Sequence, residues 1–495
     1  MKSERGSITL FVLISMIFFL VIAMTAYVSA SSKLQGQNAE IEQIKAAYEQ
    51  DLSDEALLKL YNKATRTRDW LVGSGSLEDT YKIYTIEDLV EFSNRTNDAT
   101  NPETFAGQYV ELMNDLDFQK DTSYENADRT DFGDVNGDGT VEALKTELTT
   151  GAGFSCIAAT ATNAFEGNFE GNEHEIRNLY INSSSTHSGM FAIIKNATIQ
   201  NLSLTGEITN RINSASYMAS GIVGHSSGNS RIKNCNNKAT IKKIYSNGCV
   251  AGIIGDTASG STTVVENCYN SGSICMTEGA ITTTGSGTVG GLVGCNEGTI
   301  ILVNSYNTGS ITNDIGSHTG GLIGRDSSVA MGTNILNCYN LGNITSLRVT
   351  GGMIGLVINN LNVINSYNEG DIIRFNNSNN GGIIGKSRTG TNINLNNVFN
   401  IGNIDGNYNR DGIIGDCGGD SSFINTYYQK DDNYNGYGSS NTDIIELEQS
   451  QMQASSFVDT LNANKNGINL SDYGLSDYTL SSWKQGTDGY PDFDW

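Results

Sequence analysis

The chain has 495 residues and carries 30 Lys and Arg against 54 Asp and Glu, a formal net charge of −24. Nucleic acid is excluded as a partner, because neutralising phosphates takes clustered cations and an acidic chain repels a polyanion. A hydrophobic share of 38% with 56 Gly and only 2 Pro reads as a folded, turn-dense protein, and 8 Cys without a CxxC pair exclude a disulfide-stapled miniature fold and a zinc ribbon.

Residues 1–7, with Lys2 and Arg5, form a short N-terminus ahead of an uncharged run from Ile8 to Val28. At about 1.5 Å per residue that run crosses roughly 30 Å of hydrocarbon, so 8–28 is expected to be a transmembrane helix. The basic residues before it keep the N-terminus cytoplasmic and send the rest outside, a single-pass membrane protein with its bulk at the cell surface. Val28-Ser29-Ala30 also suits a cleavage site, which leaves a cleaved signal peptide as the competing reading. The start ERGSITLFVLISM (4–16) resembles a prepilin leader, with Phe11 standing where prepilins carry Glu. That resemblance implies a pilin-like assembly subunit as a further alternative. Residues 29–80 read as a helical stalk and linker, one face marked by Ile41, Ile44 and Tyr48, and a second segment by Leu57, Leu58 and Leu60.

Residues 81–150 read as a leading α+β module. Within it, Asp134, Asn136 and Asp138 occupy loop positions 1, 3 and 5 and Gly139 position 6, the pattern of Ca²⁺ loops in which Thr140 offers a carbonyl at position 7. Lys145 replaces the bidentate Glu of position 12, with Glu142 or Glu147 near enough in sequence to compensate. Asp134, Asn136, Asp138, Thr140 and Glu142 are therefore the candidate Ca²⁺ ligands, and an ordinary acidic turn is the alternative.

Residues 151–430 repeat. SGIVG ending at Gly224 recurs as AGIIG (Gly255), GGLVG (Gly294), GGLIG (Gly324), GGMIG (Gly355), GGIIG (Gly385) and DGIIG (Gly415), at spacings of 31, 39, 30, 31, 30 and 30 residues. A second signature keeps the same phase: NCYNSGSI from Asn267, NSYNTGSI from Asn304, NCYNLGNI from Asn337 and NSYNEGDI from Asn365. Short β-branched runs separated by Gly, Asn and Ser leave no room for a long helix, so units of about 30 residues predict a mainly β chain. The expected fold is a parallel β-solenoid, or β-helix, of about eight coils stacked at about 4.8 Å. Strict alternation puts Ile232, Val265, Leu302, Ile335, Val363 and Leu395 on the core face, together with the column Asn236, Tyr269, Tyr306, Tyr339, Tyr367, Phe399 and Tyr427. The Tyr column is thus expected to be a buried stack; an exposed aromatic stripe for sugars is the alternative, should a bend at the preceding Asn flip the parity. The Asn-x-Gly that follows, as at Asn270-Ser271-Gly272, is expected to supply a corner of positive φ.

These repeats resemble GLUG motifs, named for the Gly-Leu-apolar-Gly seen here as GGLVG and GGLIG. The likeness extends to YTIEDLVEFSNRTN (84–97), FAGQYVELMNDLDF (105–118), FEGNFEGNEHEIRNLYI (165–181) and WKQGTDGYPDFDW (483–495). The resemblance implies a bacterial exported surface protein of adhesin-like character, binding an extracellular glycan or protein ligand. GLUG repeats also accompany zinc-dependent immunoglobulin A proteases, which require His-Glu-x-x-His. The chain has His174, His187, His225 and His318, and His174-Glu175 continues as Ile-Arg-Asn, so the motif is absent and His174 reads as a turn residue.

Nucleophiles fare similarly. Cys235, Cys268 and Cys338 share a repeat column with Ser305 and Ser366, which reads as packing, with a Cys235–Cys268 bridge left open. Asp314, Asp326, Asp371, Asp405 and Asp416 fall at turn positions and read as solvated loop caps rather than as the clustered carboxylates of a polysaccharide lyase or hydrolase. The primary reading is accordingly a binding protein without catalytic residues, the glycan-active enzyme being the alternative. Residues 431–495, helical from Ile444 to Leu461 and ending in the Trp483–Trp495 tail, are expected to cap the last coil and protect its edge.

Overall fold

The computed structural model describes residues 71–118, 151–160, 162–212, 217–245, 247–277, 285–328, 332–374, 378–405, 410–430 and 443–495. The expected transmembrane helix, most of the stalk and the Asp134–Glu142 loop lie outside the described residues. Among the described residues no helix is long and apolar enough to cross a membrane.

The described chain is mainly β, a parallel β-solenoid of about nine turns. One coil shows the plan: short strands Cys249–Ala251 and Ile254–Thr257 meet at a glycine bend, and Thr262–Glu266, Tyr269–Asn270 and Ile274–Met276 form a longer, bent face. Each strand pairs in register with its counterparts one coil before and after, as Thr262–Glu266 does with Asn229–Lys233 and Thr299–Val303. The short strands stack into two eight-stranded sheets and the bent faces into one of 24 strands. Proximity explains the glycine signature. A Cβ on Gly291 would fall 1.9 Å from the Gly321 carbonyl oxygen and 2.6 Å from Asn307 Cγ, so only a bare backbone fits where successive bends nest.

The strand parity differs from strict alternation, for a reason visible at one residue per coil. Asn234, Asn267, Asn304, Asn337, Asn365 and Asn397 all adopt left-handed backbone, with φ from 50° to 61°. Asn tolerates that region because its short amide bonds locally, and the bend advances the side-chain alternation by one. Ile232, Val265 and Leu302 face the core, and so do the following Cys/Ser column and the second Asn of each unit, all fully buried. The Tyr column is turned outward, which corrects the expectation of a stack inside the coil. It forms a ladder on the outer face: Tyr269, Tyr306, Tyr339, Tyr367 and Phe399 stack with centroids 4.7–5.0 Å apart. The corner glycines are corrected too. Gly272 does not carry positive φ; its missing Cβ makes room for the Ala239 carbonyl, 2.0 Å from where that Cβ would sit. The inner Asn residues pin that corner instead, Asn270 donating to the Gly272 carbonyl (2.9 Å) and to Asn307 Oδ1 (2.7 Å).

Two boundaries move. Residues 71–80 are not helical stalk; Val72 accepts from the Lys82 amide and Gly75 from Tyr109, so they lie on the first coil. The leading module is itself the start of the solenoid, since Tyr81–Ile83 pairs in parallel with Tyr109–Leu112, which pairs with Asn168–Glu170. Helix α1 (Ile86–Asn97) closes this end, begun by a capping box between Thr85 and Asp88. Its Phe92 sits among Phe105, Phe165, Phe169 and Phe191. At the other end, Ile444–Leu447 is a strand rather than helix, because its pairing with Asp420–Gln429 covers the last open edge. After Gln449–Met452 comes helix α2 (Ser455–Asn466), and the chain ends in a hairpin of Trp483–Gln485 and Pro491–Phe493.

Cys235, Cys268 and Cys338 are free and buried, so the open Cys235–Cys268 bridge does not form. The disulfide is Cys249–Cys295.

Candidate functional site

The outer Tyr face carries a second ladder. The left-handed Asn residues point their amides outward, each Nδ2 donating to the preceding Oδ1: Asn267 to Asn234 (3.0 Å), Asn304 to Asn267 (3.1 Å), Asn337 to Asn304 (2.8 Å). The exposure of this ladder falls along the rod, from exposed Asn234 and Asn267 to buried Asn365 and Asn397. The C-terminal segment causes the fall. Instead of only capping the last coil, it runs back over the face: Asn337 and Asn365 donate to the carbonyls of Thr479 and Ser481, Asn397 to that of Leu461, and Trp483 Nε1 donates to Asn365 Oδ1 at 2.7 Å. Trp483 and Phe493 pack on Tyr367, and Trp495 reaches Tyr339 and Tyr306. Tyr367 Oη also donates to Asp492 (2.8 Å).

Beyond that cover the face is open. The aromatic column gives way to Asn236 and then Ser203, smaller side chains that leave a groove of about 310 Å³ lined by Asn201, Ser203, Asn234, Asn236, Asn267 and Glu173. Tyr269, next in register to Asn236, is the last ring of the stack at this end. Cations border the groove through Glu175, which accepts from Lys238 (2.8 Å), Arg177 (2.8 Å) and Ser203 (3.2 Å). Although burial raises the Glu175 carboxyl, Lys238 and Arg177 outweigh it and hold the group below the usual carboxylate range. Asp115 bonds Arg177 (2.6 Å) and His174 Nδ1 (3.1 Å), and Glu170 accepts from Gln200 and Asn201. Glu175, Asp115 and Glu170 are committed to partners, Glu173 lines the groove, and the arrangement offers amide hydrogen bonds beside the end of the aromatic stack. His174 lies in a turn whose Asn172 and Glu173 have positive φ, as read from the sequence.

The carboxylates expected at turns stay scattered, and Asp314, Asp371 and Asp405 lie outside strands, but Asp416 ends strand Ile414–Asp416 and accepts from Lys386 and Asn379, and Asp326 is fully buried rather than a solvated cap. Three residues that no local motif connects do come together. His187, His225 and Asp256 place one ligand atom each within 4.8 Å of one another. Burial pushes the His187 imidazole down, whereas at His225 the bond to Asp256 overrides burial and raises it. The signal lay in the repeat: the residue after each signature glycine reads His225, Asp256, Cys295, a single column on one sheet.

Fold and face together define a parallel β-solenoid with an open polar groove at the end of the aromatic stack, beside a self-covered stretch of the same ladder. No family model and no curated protein matches this sequence. Among solved structures, a chain from Bacteroides ovatus described as a "putative immunoglobulin A1 protease" is similar at 15% identity and a TM-score of 0.41, covering 86% of this chain and 94% of that one. A likeness that distant carries no argument about function.

Proposed function

We propose that this protein is an exported, membrane-anchored surface protein of the GLUG-repeat type, working as an adhesin or cell-envelope scaffold that binds a glycan in the groove beside Tyr269. The observation that carries this reading is the contrast along one face. Where the tail lies down, the outer Asn ladder bonds its backbone carbonyls and the Tyr ladder takes its rings; where it does not, the same amide ladder lines a groove and Tyr269, the last ring of the stack, stands next in register to Asn236 at its edge. An oligosaccharide matches both elements, with hydroxyls for the amides and an apolar sugar face for the Tyr269 ring. The disulfide supports export, since such bonds persist in oxidising compartments. The protein's work is binding, with no turnover, and residues 8–28 hold it in the membrane.

The test is a panel of oligosaccharides and extracellular proteins screened against the chain, with product release monitored for every glycan bound. Saturable glycan binding without shorter products is the expected result. Release of products would transfer the groove to a glycan-active enzyme, and binding confined to proteins would remove the glycan reading.

A further inference from the structure

We propose that His187, His225 and Asp256 form a binding site for one divalent transition-metal ion of the zinc class, stapling three successive coils on the face formed by the two eight-stranded sheets. The ligands come from strands His187–Ser188, Val223–Ser227 and Ile254–Thr257, one per coil. Two rows meet here. Along one sheet His187 is followed in register by Met218 and Cys249, and along the other His225 by Asp256 and Cys295.

The glycine signature brings these rows together on a diagonal. A Cβ on Gly224 would lie 3.0 Å from His187 Cβ, so the bare backbone lets the His187 ring lean over the next coil, where His225 follows Gly224 in sequence. The imidazole centroids are 5.0 Å apart. Two coils further along, the same diagonal pair of positions is Cys249 and Cys295, whose Cα atoms are 5.8 Å apart and whose sulfurs are bonded. The column pair thus already joins neighbouring coils covalently at one level, and the histidines offer the same join through a metal two levels away.

The donor set suits such an ion. Zinc sits about 2.0–2.2 Å from imidazole nitrogen and carboxylate oxygen, and three protein ligands leave a fourth position for water or an outside group. The three donor atoms already lie within 4.8 Å of one another. Asp256 Oδ1 is 2.7 Å from His225 Nδ1, while His187 Nδ1 is buried without a hydrogen-bond partner. A buried nitrogen with no partner is costly unless something binds it. The site is independent of the glycan groove, which uses the other face of the coil.

The experiment uses the full chain, stripped with chelator, desalted, and titrated with Zn²⁺ by calorimetry and with Co²⁺ by visible absorption. The expected result is one saturable site with cobalt d–d bands typical of a low-coordinate nitrogen and oxygen set and no thiolate charge-transfer band. Asp256→Asn should weaken binding at least tenfold, His187→Ala and His225→Ala should each abolish the bands, and His318→Ala should leave them unchanged. Circular dichroism confirms which variants fold; should His225→Ala fail to, His187→Gln, a change on the outer face, gives the same reading. Absence of a saturable site, binding that survives in folded His187 variants, or a thiolate band would overturn the proposal.

Discussion

Asparagine does two jobs in each coil, and which one depends on backbone. The left-handed residue at Asn304 turns the strand and exposes its amide, whereas Asn307, three positions on, is fully buried and ties three coils. Asn307 accepts from Asn270 (2.7 Å) and donates to Asn340 Oδ1 (2.8 Å) and the Gly309 carbonyl (2.9 Å). Asn307→Ala leaves buried polar partners unpaired on both sides, and a loss of about 2–3 kcal/mol is expected, read as a lower urea midpoint at unchanged slope. Asp326 gives a prediction with the opposite sign. Burial pushes its carboxyl up to about 6 from 3.8, despite hydrogen bonds from Ser328 and Asn296. The folded state therefore holds the proton more tightly than the unfolded chain, so this residue's contribution to stability falls as pH rises from about 4 through about 6. Asp326→Asn removes the buried charge; its unfolding free energy should exceed that of the parent at pH 8, by up to about 3 kcal/mol, and match it below pH 4. An equal difference at both pH values would contradict the burial explanation.

At the scale of elements, the C-terminal segment behaves as a ligand built into the chain. Trp483 is its anchor, packed 4.2 Å from Phe493 and 5.4 Å from Phe399, centroid to centroid, and bonded to Asn365. Trp483→Ala is expected to cost about 3–5 kcal/mol of local docking, seen as protease cleavage within 468–495 while the solenoid keeps its circular dichroism, because the coils do not depend on the strap for their pairing. The sequence showed the strands and their phase plainly, since glycine and the apolar columns recur every 30 or so residues. It misplaced the aromatic column because period-2 alternation assumes every residue is extended, and a single left-handed Asn breaks that assumption invisibly. It could not show where the tail lies, since contacts such as Asn337 with Thr479 join residues 142 apart without a local pattern. The His187, His225 and Asp256 cluster was hidden for the same reason: metal motifs in sequence depend on short spacing, and coil stacking replaces it with spacing of one repeat.

For the whole molecule, the array fixes what each end must do. Parallel coils leave an open edge at both ends, and α1 and the Ile444–Leu447 strand close them. Between them stability is a sum of neighbouring interfaces, so a cross-link has regional effect. Cys249→Ser with Cys295→Ser removes the join between residues 46 apart in sequence and should lower stability by about 2–4 kcal/mol, with faster hydrogen exchange concentrated in the coils around residues 249–296. The acidic charge of −24 repels polyanions, and among the described residues the lateral stretch where the amide ladder is left uncovered beside Tyr269 is the proposed glycan site. The most direct measurement is calorimetric titration of the chain with the oligosaccharide selected from the panel, comparing the parent with Tyr269→Ala. Saturable binding by the parent and at least tenfold weaker binding by the variant are expected, a difference of about 1.4 kcal/mol or more. Equal affinity in the two, or no glycan bound by the parent, would contradict the proposed glycan site.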